Sequence, residues 1–155
     1  MTTQDQPLAK TRVIIADDNA MMRDKVVMLL EPEFEVVAAV SDGEALVAAV
    51  PRFDPDLGVI DISMPLKSGI EAARQLRDNG SKMILVFLTV HEDPDFARAA
   101  FDVGATGYVV KSRMVTDLLS TIRGALNGKS SISPSFALNN AVSTEKTAKK
   151  DRFLT

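Results

Sequence analysis

Between residues 11 and 127, short β-rich apolar runs alternate with helical patterns, and that alternation restricts the possible folds more than any other feature of the chain. Parallel strands cannot be joined by a tight turn. They need a crossover, usually a helix, so repeated βα units imply a parallel sheet with helices on both faces. Five such repeats fit the sequence. The first strand is Arg12-Val13-Ile14-Ile15-Ala16, a nearly continuous apolar run of the kind buried on both faces. Asp17-Asp18-Asn19 stops it, with Asn19 as N-cap of a helix whose Met22, Val26, Leu29 and Leu30 share one side.

The second strand is expected over Phe34–Val40, and Ser41-x-x-Glu44 has the spacing of a capping box opening the second helix, which Pro51 should close. The third strand, Asp56–Ile60, delivers Asp61 at its carboxyl end. Ser68-x-x-Glu71 repeats the capping signal for the third helix, and Asn79-Gly80 ends it. The fourth strand is Met83–Leu88 followed by Thr89; Asp93-Pro94 then supplies an N-cap and an N1 proline. A short fifth strand over Gly107–Val110 leads to Lys111. The last helix carries Val115, Leu118, Leu119, Ile122 and Leu126 on its predicted apolar side, with Gly124 weakening it.

Bulk properties narrow the class. With 155 residues, 46% of them hydrophobic, the chain suits one domain with one core. A net charge of −3 argues against a domain that itself grips nucleic acid, which needs a basic face. There is no cysteine, hence no disulfide framework or thiolate metal site, in keeping with a reducing compartment. No run approaches the roughly 18–20 apolar residues of a membrane span, and residues 1–10 are polar rather than signal-like, so the expectation is a cytoplasmic protein. After Gly128 the composition turns to Ser, Asn, Thr and Lys, and Thr144–Lys150 has no apolar period. The expected division is a flexible N-terminus over 1–10, one folded domain over 11–128, and a linker or tail over 129–155.

In an open parallel sheet the strand carboxyl ends share one edge. Asp17, Asp18, Asp61, Thr89 and Lys111 therefore fall together although they are far apart in sequence. Crowded carboxylates repel, and Mg2+, which favours oxygen ligands, relieves the conflict. An aspartate in such a place can act as a nucleophile and become an aspartyl phosphate. A hydroxyl and an ammonium beside it, here Thr89 and Lys111, suit the added phosphoryl oxygens.

Taken together, Asp17-Asp18, Asp61-Ile62-Ser63-Met64-Pro65, Leu88-Thr89 and Gly104-Ala105-x-Gly107-Tyr108 leading to Lys111 resemble the receiver domains of two-component response regulators over nearly all of residues 11–127. The last stretch is similar to the NarL/FixJ branch. The resemblance implies a flavodoxin-like (βα)5 fold with strand order 2-1-3-4-5. It implies Asp61 as phosphoacceptor and Asp17, Asp18, Asp61 and the Ser63 backbone carbonyl as Mg2+ ligands. Thr89 and Tyr108 would form the switch pair, with Tyr108 rotating inward on phosphorylation, and Lys111 would contact the phosphoryl group. A sensor histidine kinase would be the phosphodonor. The protein would then be a signalling switch that catalyses only its own phosphorylation and slow dephosphorylation, forms a homodimer on phosphorylation, and controls an output, chiefly transcription. The terminal Leu154-Thr155 resembles the start of a LuxR-type helix-turn-helix domain, so DNA binding is expected only through a domain beyond this chain.

Two departures from the family pattern stand out. Val90 follows the switch threonine where many receivers carry a small residue, so its bulk is expected to alter phosphoryl lifetime. Ser112 follows Lys111 in place of the common proline, and a cis bond without proline costs about 3–4 kcal/mol. Blander readings also apply. Asp17-Asp18 alone reads as a helix cap, Met64-Pro65 as an ordinary turn, and Tyr108 as a core aromatic. His91, the sole histidine, reads as a solvated loop residue outside the site; Arg74, Arg77 and Lys82 read as a solvated helix face. The rival functions are a stand-alone or degenerate receiver serving as a protein-interaction module, and an aspartate-nucleophile phosphatase of the haloacid dehalogenase type. The first should lack one of the three acids, and the second should show Asp-x-Asp where this chain has Asp61-Ile62-Ser63.

Overall fold

The computed structural model describes residues 10–132, the side chains of 131 and 132 excepted. Its strands and helices alternate as expected: β1 (Arg12–Ala16), α1 (Ala20–Leu30), β2 (Glu35–Val40), α2 (Gly43–Phe53), β3 (Leu57–Ile60) and α3 (Gly69–Asp78) come first. They are followed by β4 (Ile84–Thr89), α4 (Pro94–Asp102), β5 (Gly107–Val110), α5 (Met114–Leu126) and β6 (Ser131–Ile132). The sheet is parallel in the order β2-β1-β3-β4-β5, with the two-residue β6 added beside β5. This is the flavodoxin-like arrangement, and its edge extends past Gly128: β6 was not foreseen, because two residues leave no periodicity to read.

Successive strand residues serve opposite faces, as the pleat requires. Val13, Ile15, Val59, Val86, Leu88 and Val109 pack beneath α1 and α5, where Val26, Leu30, Leu118 and Ile122 close the layer. Ile14, Ala16, Ile60, Leu85, Phe87 and Tyr108 pack beneath α2, α3 and α4, against Leu46, Ala72, Leu76, Ala97 and Ala100. Each fully buried Leu or Ile contributes roughly 1.5–3 kcal/mol of transfer free energy, so the two layers account for the fold's cohesion without a disulfide.

Three helix starts match the sequence signals: Asn19, Ser68 and Asp93 accept side-chain hydrogen bonds from the backbone N–H groups of Met22, Glu71 and Asp95. The expected Ser41 capping box is not formed. Asp42 is the N-cap and accepts from Ala45 N–H at 2.7 Å. Pro51 does not close α2 either. It sits in the last turn, where one missing N–H is tolerable, and the helix runs on to Phe53 before Asp54 turns left-handed at φ 48°. Val115 faces solvent at 76% exposure, so the α5 stripe is Met114, Leu118, Ile122 and Ala125, with Leu119 and Leu126 partly covered. The described residues contain no cis peptide bond, and Lys111–Arg113 form a short 3-10 turn into α5. No helix among them is long and apolar enough to cross a membrane. Residues 1–9 of the expected N-terminal segment and 133–155 of the expected linker or tail, with its terminal Leu-Thr, lie outside the described residues.

Candidate phosphoacceptor site

The order β2-β1-β3 places a topological switch point between β1 and β3, and the acids sit at its carboxyl edge. Ladder bonds continue one residue past each strand. Asp17 N–H donates to the Val40 carbonyl at 3.0 Å, and Asp61 N–H to the Ala16 carbonyl at 2.8 Å, so both acids are held by sheet backbone. Asp17 and Asp61 are buried and Asp18 is exposed; one carboxylate oxygen from each lies within 4.8 Å of the others. Asp17 also accepts from Asn19 N–H at 2.9 Å through Oδ1. Arg23, from the first turns of α1, donates to the Asp17 carbonyl at 2.8 Å.

Lys111 is the half-buried cation of the site. Its Nζ donates to Asp17 Oδ2 at 2.8 Å and to Asp61 Oδ2 at 3.1 Å. Burial pushes the Asp61 carboxyl above the ordinary carboxylate range; Lys111 opposes that rise and the Asp17 charge adds to it. For Lys111, burial pulls the ammonium down, but its hydrogen bond to Asp17 and the charges of Asp61 and Asp17 outweigh burial and leave it above its usual value. One ammonium against three carboxylates leaves the cluster net negative. An all-oxygen, negatively charged set open on the Asp18 side suits a hard divalent cation such as Mg2+.

Around the acids stand two loops. In the loop between β3 and α3, Gly69 N–H donates to the Ile62 carbonyl at 2.7 Å and Leu66 adopts φ 67°. A depression of about 660 Å³ lies between Asp18, Ser63, Met64, Pro65, Ile70 and Phe96. Leu66 and Val90 are exposed apolar residues in the loops after β3 and β4. Gly69 fixes the approach of α3 to the site: a Cβ there would lie 2.0 Å from the Asp61 carbonyl oxygen.

The loop between β4 and α4 corrects one sequence reading. His91 is not a solvated bystander. It is half-buried, with Nε2 2.6 Å from Ser63 Oγ and its ring stacked on Phe96 at 4.0 Å between centroids and 19° between planes. Its N–H donates to Thr89 Oγ1 at 3.2 Å, and its carbonyl accepts from the Tyr108 hydroxyl at 2.9 Å. Thr89 and Tyr108 are both fully buried, so Tyr108 already points inward. Burial, with the charges of Asp93 and Asp61, pushes its phenol well above the usual value, and it remains a donor at any working pH.

All of the sequence-predicted acids and Lys111 thus converge, while Thr89 and Tyr108 are joined to one another through the His91 backbone. Arg77 departs from the solvated-face reading: it is half-buried, and it donates to the carbonyls of Ser81 at 3.0 Å and Gly104 at 3.3 Å, tying the end of α3 to the loop before β5. Arg74 and Lys82 are exposed as expected. Gly69 and Arg23 were missed. A glycine after an N-cap serine was the one available hint for the first, and nothing in the sequence pointed Arg23 at a backbone carbonyl.

The family model described as the response regulator receiver domain matches residues 13–123. The chain is 33% identical over 132 residues to the transcriptional regulatory protein DegU of Brevibacillus brevis, covering 84% of this chain and 56% of the relative. It therefore spans somewhat more than half the length of that relative. Among solved structures, a LuxR-family two-component response regulator from Aurantimonas sp. superposes with TM-score 0.82 at 31% identity, covering 88% of this chain and 99% of that one. The isolated receiver of RcsB from Salmonella enterica serovar Typhimurium, solved with the phosphomimetic BeF3−, gives TM-score 0.76 at 26% identity, covering 83% and 96%. RcsB is also known as two dimers bound to two parallel DNAs, with TM-score 0.76 at 26% identity and coverages of 83% and 66%.

Proposed function

Because this chain belongs to the response regulator receiver family, in its NarL/FixJ (LuxR-type) branch, we propose that Asp61 is its phosphoacceptor and that phosphorylation there switches an output. The observation that carries the reading is Lys111 clamped between Asp17 and Asp61 beside the exposed Asp18. An Asp61 oxygen attacks the phosphorus of a histidine kinase phosphohistidine; the O–P bond forms as the P–N bond breaks, and the imidazole leaves with the electron pair and takes a proton. Asp17, Asp18, Asp61 and the Ser63 carbonyl would hold Mg2+, which when bound supplies positive charge to offset the carboxylates and phosphoryl oxygens. Lys111 exchanges part of its pairing with Asp61 for a phosphoryl oxygen, and the Thr89 hydroxyl donates to another.

The remaining parts of the reading follow the relatives. RcsB binds DNA as dimers, and DegU is a transcriptional regulator; the output proposed here is likewise transcription, through a DNA-binding domain joined after residues 129–155 of a cytoplasmic protein. For the dimer, the α1 and α5 layer is the proposed face: Met21 and Met28 on α1 and Val115 on α5 are more than 70% exposed, whereas β6 occupies the edge beside β5. The decisive experiment is intact-mass analysis after acetyl phosphate, with and without Mg2+, beside Asp61→Asn. One Mg2+-dependent phosphoryl adduct, absent from the variant, is expected. No adduct under any condition would sink the proposal.

A further inference from the structure

His91 touches both buried switch residues and both loops around the acids. Its Nε2 meets the Ser63 hydroxyl at 2.6 Å, its ring lies on Phe96 in the first turn of α4, its N–H reaches Thr89 Oγ1, and its carbonyl accepts the Tyr108 hydroxyl. The loop that carries it is otherwise open, since Val90, Glu92 and Asp93 are all exposed. Ser63 and Phe96 thus anchor the His91 ring, while Thr89 Oγ1 accepts from its backbone N–H. A buried phenol needs its hydroxyl partnered, so the position of the His91 carbonyl is one of the contacts that set where Tyr108 sits.

We infer that the Ser63–His91–Phe96 contact is a latch, with His91 as the positioning residue that holds Tyr108 inward before any phosphoryl group arrives. Cutting the latch frees the His91 carbonyl to move, and Tyr108, held inward against it, should then reach solvent more often. Only the signalling consequence depends on the receiver reading: an inward-biased resting protein needs less differential binding energy from the phosphoryl group to complete its switch. Ser63 has a separate part as a backbone ligand in the proposed Mg2+ set, so its hydroxyl is the atom to remove.

Tyr108 is the sole tyrosine and the chain has no tryptophan, which makes intrinsic emission a direct probe of this one side chain. The test is acrylamide quenching of that emission in the full chain, without phosphodonor or metal, for the parent, Ser63→Ala, His91→Phe and the double variant. His91→Phe keeps a ring for Phe96 to stack on but cannot bond to Ser63. Each single variant is expected to shift the inward-to-outward ratio by about fivefold, the size a net hydrogen bond supports, and so to raise the quenching constant. The double variant should go no further than the larger single effect, because both changes cut the same contact. Parent-like protection of Tyr108 in Ser63→Ala overturns the latch, as does a double variant whose effects simply add. Far-UV circular dichroism confirms that each variant is folded. The acetyl phosphate adduct is scored on separate samples: its absence would refute the receiver reading while leaving the tyrosine result to decide the latch.

Discussion

Asp61 carries a charge that its surroundings resist. Its pKa is raised by burial and by Asp17, and Lys111 offsets this only in part. A carboxyl raised above its unfolded value destabilises the fold when it ionises. That penalty is absent below the unfolded value of 3.8, grows as pH rises through the window up to the raised folded value, and is full above it. In metal-free buffer at neutral pH, Asp61→Asn is therefore expected to melt higher than the parent, and the difference should vanish in melts taken below the unfolded pKa. Lys111→Met has the opposite sign. It leaves Asp17 and Asp61 facing each other, and should cost on the order of 2–3 kcal/mol by denaturant unfolding, recovered largely by added Mg2+. At this scale the sequence pointed to which residues meet at one sheet edge, because strand-end acids, Thr89 and Lys111 are separated by regular βα spacing. It did not disclose that one ammonium would bridge two acids, or that His91 would join Thr89 and Tyr108, since both depend on distances between loops.

Among the elements, helix starts were legible wherever a single capping residue preceded the apolar period, as at Asn19, Ser68 and Asp93. At the second helix two candidates adjoin, and the choice fell to Asp42. Packing accompanies that choice: Gly43 presses on the next loop so closely that a Cβ would lie 2.1 Å from the Lys67 carbonyl oxygen. Asp42→Ala is expected to lower stability by about 1 kcal/mol, while Ser41→Ala should leave the unfolding midpoint nearly unchanged. Gly69 is the sharper case. A methyl group there collides with the Asp61 backbone, and the collision is with rigid chain rather than a movable side-chain end. Gly69→Ala should cost roughly 1–3 kcal/mol and slow phosphorylation by acetyl phosphate, both measurable on one purified sample. Val115 was misplaced for a related reason: in α5 the buried stripe begins at Met114, and one residue of helix phase, about 100°, turns Val115 to water.

For the whole molecule, the exposed apolar side chains of α1 and α5 are the clearest surface consequence of the fold. Met28→Asp places charge on the proposed dimer face in the last turn of α1, and Val115→Asp places it at the start of α5. Phosphorylation by acetyl phosphate should persist in both, while the phosphorylation-dependent rise in sedimentation coefficient is lost; a dimer that forms undiminished would move the interface elsewhere. By itself the sequence determined the parallel βα architecture, because hydrophobic period and punctuation are local properties, while the strand order came from the resemblance of its motifs to receiver domains. It also supplied a roster of candidate site residues, since strand carboxyl ends must share an edge. Only the tertiary structure decided how that roster is wired: Lys111 between Asp17 and Asp61, Gly69 against the Asp61 backbone, Arg77 across to Gly104, and His91 between Ser63 and Tyr108. Apart from Gly69 and Asp61, which share the third βα unit, those contacts join residues from different βα units, and their distances follow from how the layers settle on the sheet rather than from spacing along the chain.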